Sequence, residues 1–242
     1  MTTTHRIATG DVGSALCPWG GLETFGPLAL WLLCATPLLL GTTNIPESTP
    51  SPAHRSPTEA MRATVSQALG ILQDQELKQP ARMDERVARL KKIADSCFDY
   101  GEMAKRSLGG QWNKLGEKDR QEFVDLFTEL LTATYVEKIH SYSDEEVKFL
   151  NERLEGNYAE VKSIMVGKKT EIPLDYRLMK KDGDWKAYDV VVDGISLVQN
   201  YRGQFTKILR SSSYEHLVQI LRDKIVQYNV KTKSTDTTLA SP

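Results

Sequence analysis

Cysteine is scarce in this chain of 242 residues: three in all, Cys17, Cys34 and Cys97. If the N-terminal segment is removed, Cys97 alone survives, and one cysteine makes neither an internal disulfide nor a structural zinc site. It reads as a small buried apolar residue. A charge excess is missing too. Lys and Arg number 31 against 32 Asp and Glu, a net charge of −1, so no basic field exists to hold nucleic acid by counterion release. The four histidines (His5, His54, His140 and His216) lie far apart in unlike contexts. No HExxH, no CxxC, no Gly-x-Ser-x-Gly elbow and no phosphate-cradling glycine loop occurs. Metal-hydrolase, thiol-redox, serine-hydrolase and nucleotide-binding readings therefore have no motif to rest on.

What is present begins with an apolar run of about 16 residues, Phe25 to Leu40, uncharged and holding two prolines. It resembles the core of a secretory signal cleaved near residues 36–45, or else an N-terminal anchor, and sets off residues 1–44. The stretch 46–57, PESTPSPAHRSP, is proline- and serine-rich, so 45–57 reads as a disordered linker. Residues 58–228 form the folded domain, and the polar residues 229–242 read as a flexible tail.

Within that domain the hydrophobic period changes twice. Met61, Val65, Leu69 and Leu72 share a face of a helix starting near Thr58. A second helix is expected over 83–97, a short third from Asp99 to Gly109-Gly110, and a fourth over 117–140 with a wide apolar face from Phe123 to Tyr135. Period two follows in strands at 145–154, 158–167, 171–180 and 184–193. In the last, Tyr188, Val190 and Val192 alternate with Ala187, Asp189 and Val191. Asp182-Gly183 signals a hairpin, and Gly194 is expected to end the sheet. Helices return over 196–209 and 213–227, the latter opened by a Ser212/Glu215 capping box. The fold class is α+β: N-terminal and C-terminal helices packed on a curved four-stranded antiparallel sheet that encloses an apolar cavity.

Two carboxylates near that sheet's end allow two readings. Asp189 and Asp193, with Tyr188, could serve as acid and base in a cone-shaped pocket. Equally, Asp189 could be a surface strand carboxylate or a partner of Arg202, while Asp193 opens a turn with Gly194.

The stretches Trp185-Lys186-Ala187-Tyr188-Asp189-Val190, Asp193-Gly194-Ile195-Ser196-Leu197-Val198 and Asn200-Tyr201-Arg202-Gly203-Gln204-Phe205 resemble the signature of the MlaC family, Ttg2-type toluene-tolerance proteins. Upstream, Phe98-Asp99-Tyr100-Gly101-Glu102-Met103-Ala104 and Ser107-Leu108-Gly109 resemble a further block of that family. The likeness covers roughly residues 58–227. It implies a non-enzymatic, monomeric periplasmic carrier of a Gram-negative bacterium. Phospholipid would be its bound ligand, with no cofactor and no metal. Its partners would be an outer-membrane lipoprotein complex and an inner-membrane ABC transporter with a substrate-binding ring protein, and its role would be to maintain outer-membrane lipid asymmetry. A carrier needs apolar lining. The candidates are Phe127, Leu130 and Tyr135 of the fourth helix and Val147, Phe149, Ile164, Val166, Leu174, Tyr176, Val190 and Val192 of the strands. Leu197, Val198 and Tyr201 follow them. Asn200, Arg202 and Gln204 would tie their helix to the sheet or meet a headgroup. A small-molecule enzyme on a cone-shaped α+β fold and a protein-only adaptor are the alternatives.

Overall fold

The computed structural model describes residues 55–140, 145–167 and 170–239, with side chains described outside 135–140 and 232–239. The expected signal or anchor, most of the linker and the last three residues lie outside the described residues.

Helix α1 (Pro57–Gln73) starts where local chemistry dictates. Ser56 Oγ accepts from Glu59 N–H at 3.2 Å, and Glu59 returns the bond to Ser56 N–H at 2.8 Å. Pro57 sits at the first helical position, where its missing N–H costs nothing. A carboxylate far along the chain reinforces this end: Glu152 accepts from Thr58 N–H at 2.8 Å. A 3-10 turn at Pro80–Arg82 leads into α2 (Met83–Cys97), whose span matches the sequence expectation. Asp99 caps α3 (Tyr100–Leu108) by accepting from Glu102 N–H, and Gly109 ends it at φ +57°, a left-handed conformation that glycine adopts without strain. Helix α4 (Glu117–His140) follows.

Strands β1 (Glu146–Glu155), β2 (Tyr158–Val166), β3 (Glu171–Lys181), β4 (Asp184–Val192) and β5 (Ile195–Ser196) form one antiparallel sheet in sequence order. Four strands were expected and five are present. Gly194 does not end the sheet, because Asp193 (φ 49°) and Gly194 (φ 78°) repeat the left-handed pair of Asp182 (φ 51°) and Gly183 (φ 83°). Two consecutive positive φ values suit a two-residue hairpin, so the chain doubles back and adds β5. Helices α5 (Leu197–Ser211) and α6 (Tyr214–Leu239) complete the chain. The α6 cap is Ser213, whose Oγ accepts from His216 N–H at 3.3 Å, not Ser212. The helix also runs past the expected end near 227, since no glycine or proline follows to break it.

Two bulges decide which side chains face the core. Register slips at Leu150 in β1 and at Tyr188 in β4, where Arg177 pairs with Asp189 but Leu178 with Ala187. The extra residue puts Ala187, Val190 and Val192 on one face and Asp189 and Val191 on the other. The expected strict alternation across β4 is thereby broken.

There are two cores. In the first, α1 and α2 cover one sheet face: Met61, Val65, Leu69 and Leu72 lie against Val147, Val161, Met165, Leu174, Tyr176 and Val190. In the second, α3, α4, α5 and α6 pack around aromatic rings. Phe127 meets Tyr201 edge-on at 5.2 Å, and Phe123 meets Phe205 at 5.7 Å. Phe98, on the connector between α2 and α3, packs against both. Its neighbour Asp99 donates its N–H to Ala187 O at 2.9 Å, which pins that connector to β4.

Candidate functional site: an apolar layer under the first two helices

The layer between the sheet and α1/α2 is a contiguous apolar cluster. Its β2 contribution is Ala159, Val161 and Met165, which alternate with Glu160, Lys162 and Ile164. Burial is near complete at Leu72, Leu90, Val161, Leu174 and Leu178. Towards the starts of β1 and β3 it loosens, and Phe149 and Ile172 are half-buried. The Arg62 guanidinium sits 4.8 Å from the centre of the Phe149 ring, so a charged head covers an apolar plate at that edge. Met61 and Met165 lie within the layer, and unbranched thioethers adapt readily to a changing neighbour.

Polar groups are few. Ser163 Oγ donates to Leu174 O. Arg86, at the margin, donates to Leu72 O at 2.8 Å. Burial pushes the Tyr176 phenol well above its ordinary range. The Cys97 thiol, 3.9 Å from Met61 Sδ, is pushed up to about 11 by burial. Its reactive thiolate is therefore negligible at neutral pH. Native protein at pH 8 is expected to leave Cys97 unmodified by a charged thiol reagent for as long as the fold holds, with rapid labelling in denaturant. Prompt labelling of folded protein would show that the layer opens to water.

The structure sorts the sequence-named lining residues into distinct places. Val147, Leu174, Tyr176, Val190 and Val192 converge in the layer, with Phe149 at its edge. Phe127, Leu130, Leu197, Val198 and Tyr201 sit instead in the helical core. Ile164 and Val166 are half-buried on the opposite sheet face from Met165. The Tyr135 side chain lies outside the described residues. Sequence reasoning left Val161, Met165, Leu178, Leu90 and Cys97 out of the lining, and the α1 face Met61–Leu72 as well. The α1 spacing was visible, but its partner was not.

Asp189 is 2% exposed, so it is no surface carboxylate, and its partner is not Arg202. It accepts from Ser196 Oγ at 2.6 Å, from Val198 N–H at 3.0 Å and from Arg177 Nη1 at 3.0 Å. Ser196 in turn caps α5 by accepting from Gln199 N–H. The carboxylate is spent on joining β4 to the start of α5. On the outer face, Arg153, Glu160, Arg177 and Asp189 stand opposite one another across four strands, signs alternating. Asn200 and Gln204 bond to each other within α5 at 3.2 Å, and Arg202 lies against Gly109, whose missing side chain leaves room for it.

Among the described residues no cluster of His, Cys, Asp or Glu could hold a metal ion, and no helix is long and apolar enough to cross a membrane.

An antiparallel sheet with one apolar face roofed by two helices, and with its buried Asp189 carboxylate committed to structure, defines an α+β protein built around an apolar layer. The comparisons with known proteins narrow this. The family model described as MlaC protein matches residues 62–223. The intermembrane phospholipid transport system binding protein MlaC of Haemophilus influenzae is 22% identical over 126 residues, 50% of this chain and 59% of that relative's length. A phospholipid-binding protein from Ralstonia solanacearum, solved in complex with a phospholipid, matches with a TM-score of 0.62 at 23% identity, over 70% of this chain and 97% of that one. The chain belongs to the MlaC family.

Proposed function

We propose that this protein is a phospholipid carrier that holds acyl chains in the layer between α1/α2 and the sheet. The observation that carries the reading is that layer: a continuous apolar surface with adaptable methionines, loosening at one end, on a fold shared with a protein solved with phospholipid bound. Burying a methylene is worth about 0.8 kcal/mol, so one chain of about 16 carbons represents roughly 13 kcal/mol. Only extensive apolar surface matches that, and the lining we assign is Val147, Phe149, Val161, Met165, Leu174, Tyr176, Val190 and Val192, with Met61, Val65, Leu69 and Leu72 as the roof. Ile164 and Val166 fall outside the assignment, as does the helical-core group.

The carrier works in the periplasm as a monomer, without a cofactor and without catalysis. It exchanges lipid between an outer-membrane lipoprotein complex and an inner-membrane ABC transporter with its ring protein. Family membership supports this setting, and the name of the Haemophilus influenzae relative, an intermembrane transport protein, is consistent with it. The enzymatic alternative loses its candidate base, since Asp189 is committed to α5.

Protein purified without detergent, denatured and extracted into organic solvent is expected to release phospholipid in a fixed ratio to protein, read by mass spectrometry. Protein that carries no lipid, and takes none from phospholipid vesicles, would remove the proposal.

A further inference from the structure

The sheet face turned away from α1 and α2 carries two hollows that meet. The larger, a cleft of about 480 Å³, lies between the starts of α3 and α4 and the end of β3, with Trp112, Val124 and Met179 as apolar walls and Arg120 at its rim. The smaller, of about 190 Å³, is lined by Tyr158, Tyr188 and Arg177 among others. Tyr158 pairs with Met179 across β2 and β3. Opposed side chains on one face stand about 4.5–5.5 Å apart at Cβ, so the hollows are neighbours on one surface. The Tyr188 ring meets Tyr158 edge-on at 6.0 Å, and the Arg106 guanidinium lies 4.2 Å from its centre.

This surface is remote from the apolar layer. Leu178 is buried on the layer side of β3, and Met179 takes the other face. Ile172, at the loose edge of the layer, and Met179 stand roughly 23 Å apart along the strand at about 3.3 Å per residue. A partner seated over Met179 covers neither the layer nor that edge. The composition is that of a protein interface. Trp, Tyr, Met and Arg are the residues enriched where proteins meet, and Trp, Tyr and Arg are the costliest to truncate there. Tyr158 is 44% exposed, which leaves ring area for a partner to cover.

Most charges on this face are engaged within the chain. Arg177 pairs with Asp189, Lys181 with Asp99, and Glu102 with both Arg106 and Lys105. Arg120 pairs with no carboxylate among the described residues. Its Nε donates to Trp112 O at 3.1 Å, and its guanidinium lies 5.6 Å from the centre of the Trp112 ring. The bond and the ring hold the plane of the guanidinium while its terminal nitrogens keep their donors. A fork held in advance grips a carboxylate with two parallel bonds at little cost in entropy. The apolar walls beside it select a carboxylate carried among apolar side chains. Glu117 lies three residues before Arg120 on α4, about 5–6 Å away at Cβ, and repels a second negative charge. A single carboxylate is thereby favoured over an acidic run. We propose that this surface docks a protein partner through a segment bearing one carboxylate flanked by apolar residues. The carboxylate sits on Arg120, and the apolar side chains cover Trp112 and Met179 and reach the two tyrosines. Nothing in this assignment depends on where the acyl chains lie.

The test titrates the full chain with N-acetyl-Leu-Gly-Leu-Glu-Leu-Gly-Leu-amide, whose residue order is symmetric about the glutamate, and with its glutamine counterpart. The indole N–H resonance of Trp112 is followed, identified by its loss in Trp112→Phe. The glutamate peptide is expected to shift that resonance saturably and to bind about tenfold more tightly than the glutamine peptide. Arg120→Gln should erase the preference at unchanged melting temperature, and Arg120→Lys, which keeps the charge without the fork, should restore only part of it. Glu117→Gln should tighten the glutamate peptide, and folded Tyr188→Ala should weaken both peptides alike. Hexanoate, a carboxylate on a short apolar chain, should bind about tenfold more weakly than the glutamate peptide. Equal binding of the two peptides, or a preference that survives in folded Arg120→Gln, overturns the assignment. So does hexanoate binding as tight as the peptide, or an unchanged titration in Tyr188→Ala, since either confines the ligand to the cleft. Lipid extraction from the same preparations keeps this idea apart from the carrier reading. Arg120→Gln and Tyr188→Ala should carry as much lipid as the wild type, and its loss from the folded variants would overturn the separation of this surface from the layer. Protein without lipid that keeps the peptide preference loses the carrier reading alone.

Discussion

Replacing Asp189 by alanine is expected to lower the unfolding free energy by about 3–5 kcal/mol, the usual cost of removing one partner from a buried charged network. Three donors lose their acceptor at once: Ser196 Oγ, Val198 N–H and Arg177. The first two matter most, since they lie at the buried start of α5, where an unsatisfied N–H has no water to turn to. The Arg177 side chain is 38% exposed, so solvent screens its share of the ion pair and hydrates it after the loss. Asp189→Asn keeps one oxygen for Ser196 or Val198 and should cost about half as much as alanine. Urea denaturation of the wild type and both variants reads this directly. A loss under about 1 kcal/mol for Asp189→Ala would mean that the carboxylate is not what joins β4 to α5.

Much of this arrangement could be seen in the sequence, and the parts that could not share a cause. Helix α2 and the Asp182-Gly183 hairpin followed from spacing and turn chemistry alone, because those signals are local. The second Asp-Gly pair is equally local, but the strand after it is only two residues long, too short to show an alternation in sequence. The Tyr188 bulge left no mark in the pattern, and without it the faces of β4 come out wrong for Ala187. In β2 hydrophobicity itself misled. The core face there is Ala159, Val161, Ser163 and Met165, while the bulkier-looking Ile164 and Val166 lie on the other side. A strand states that its faces alternate, but only its register against neighbours states which face is covered. The same limit merged two cores into one. The sequence reading packs the helices on the sheet, and the α4 face of Phe123, Phe127, Leu130 and Leu131 would then meet the strands. The structure supplied α5 and α6.

That division yields the second large effect. Phe127→Ala is expected to cost about 3–5 kcal/mol, because the ring is fully buried and its removal leaves a cavity that the surrounding aromatics cannot close. Tyr201 and Phe205 both meet Phe127 edge-on, at 5.2 and 6.0 Å, and would lose that packing together. Yet the protein that remains folded should carry as much phospholipid as the wild type, since the helical core lies apart from the lining that we assign. Leu174→Asp is the converse case. It sets a carboxylate in the middle of the layer, flanked by Ser163 and Val192 on the neighbouring strands. An uncompensated charge there repels acyl chains as strongly as it strains the fold. Lipid per folded molecule, from extraction normalised to the native fraction by circular dichroism, should collapse in Leu174→Asp and hold in Phe127→Ala. If Phe127→Ala empties the protein while Leu174→Asp stays loaded, the acyl chains lie among α3, α4, α5 and α6, and the layer under α1 and α2 is only a core.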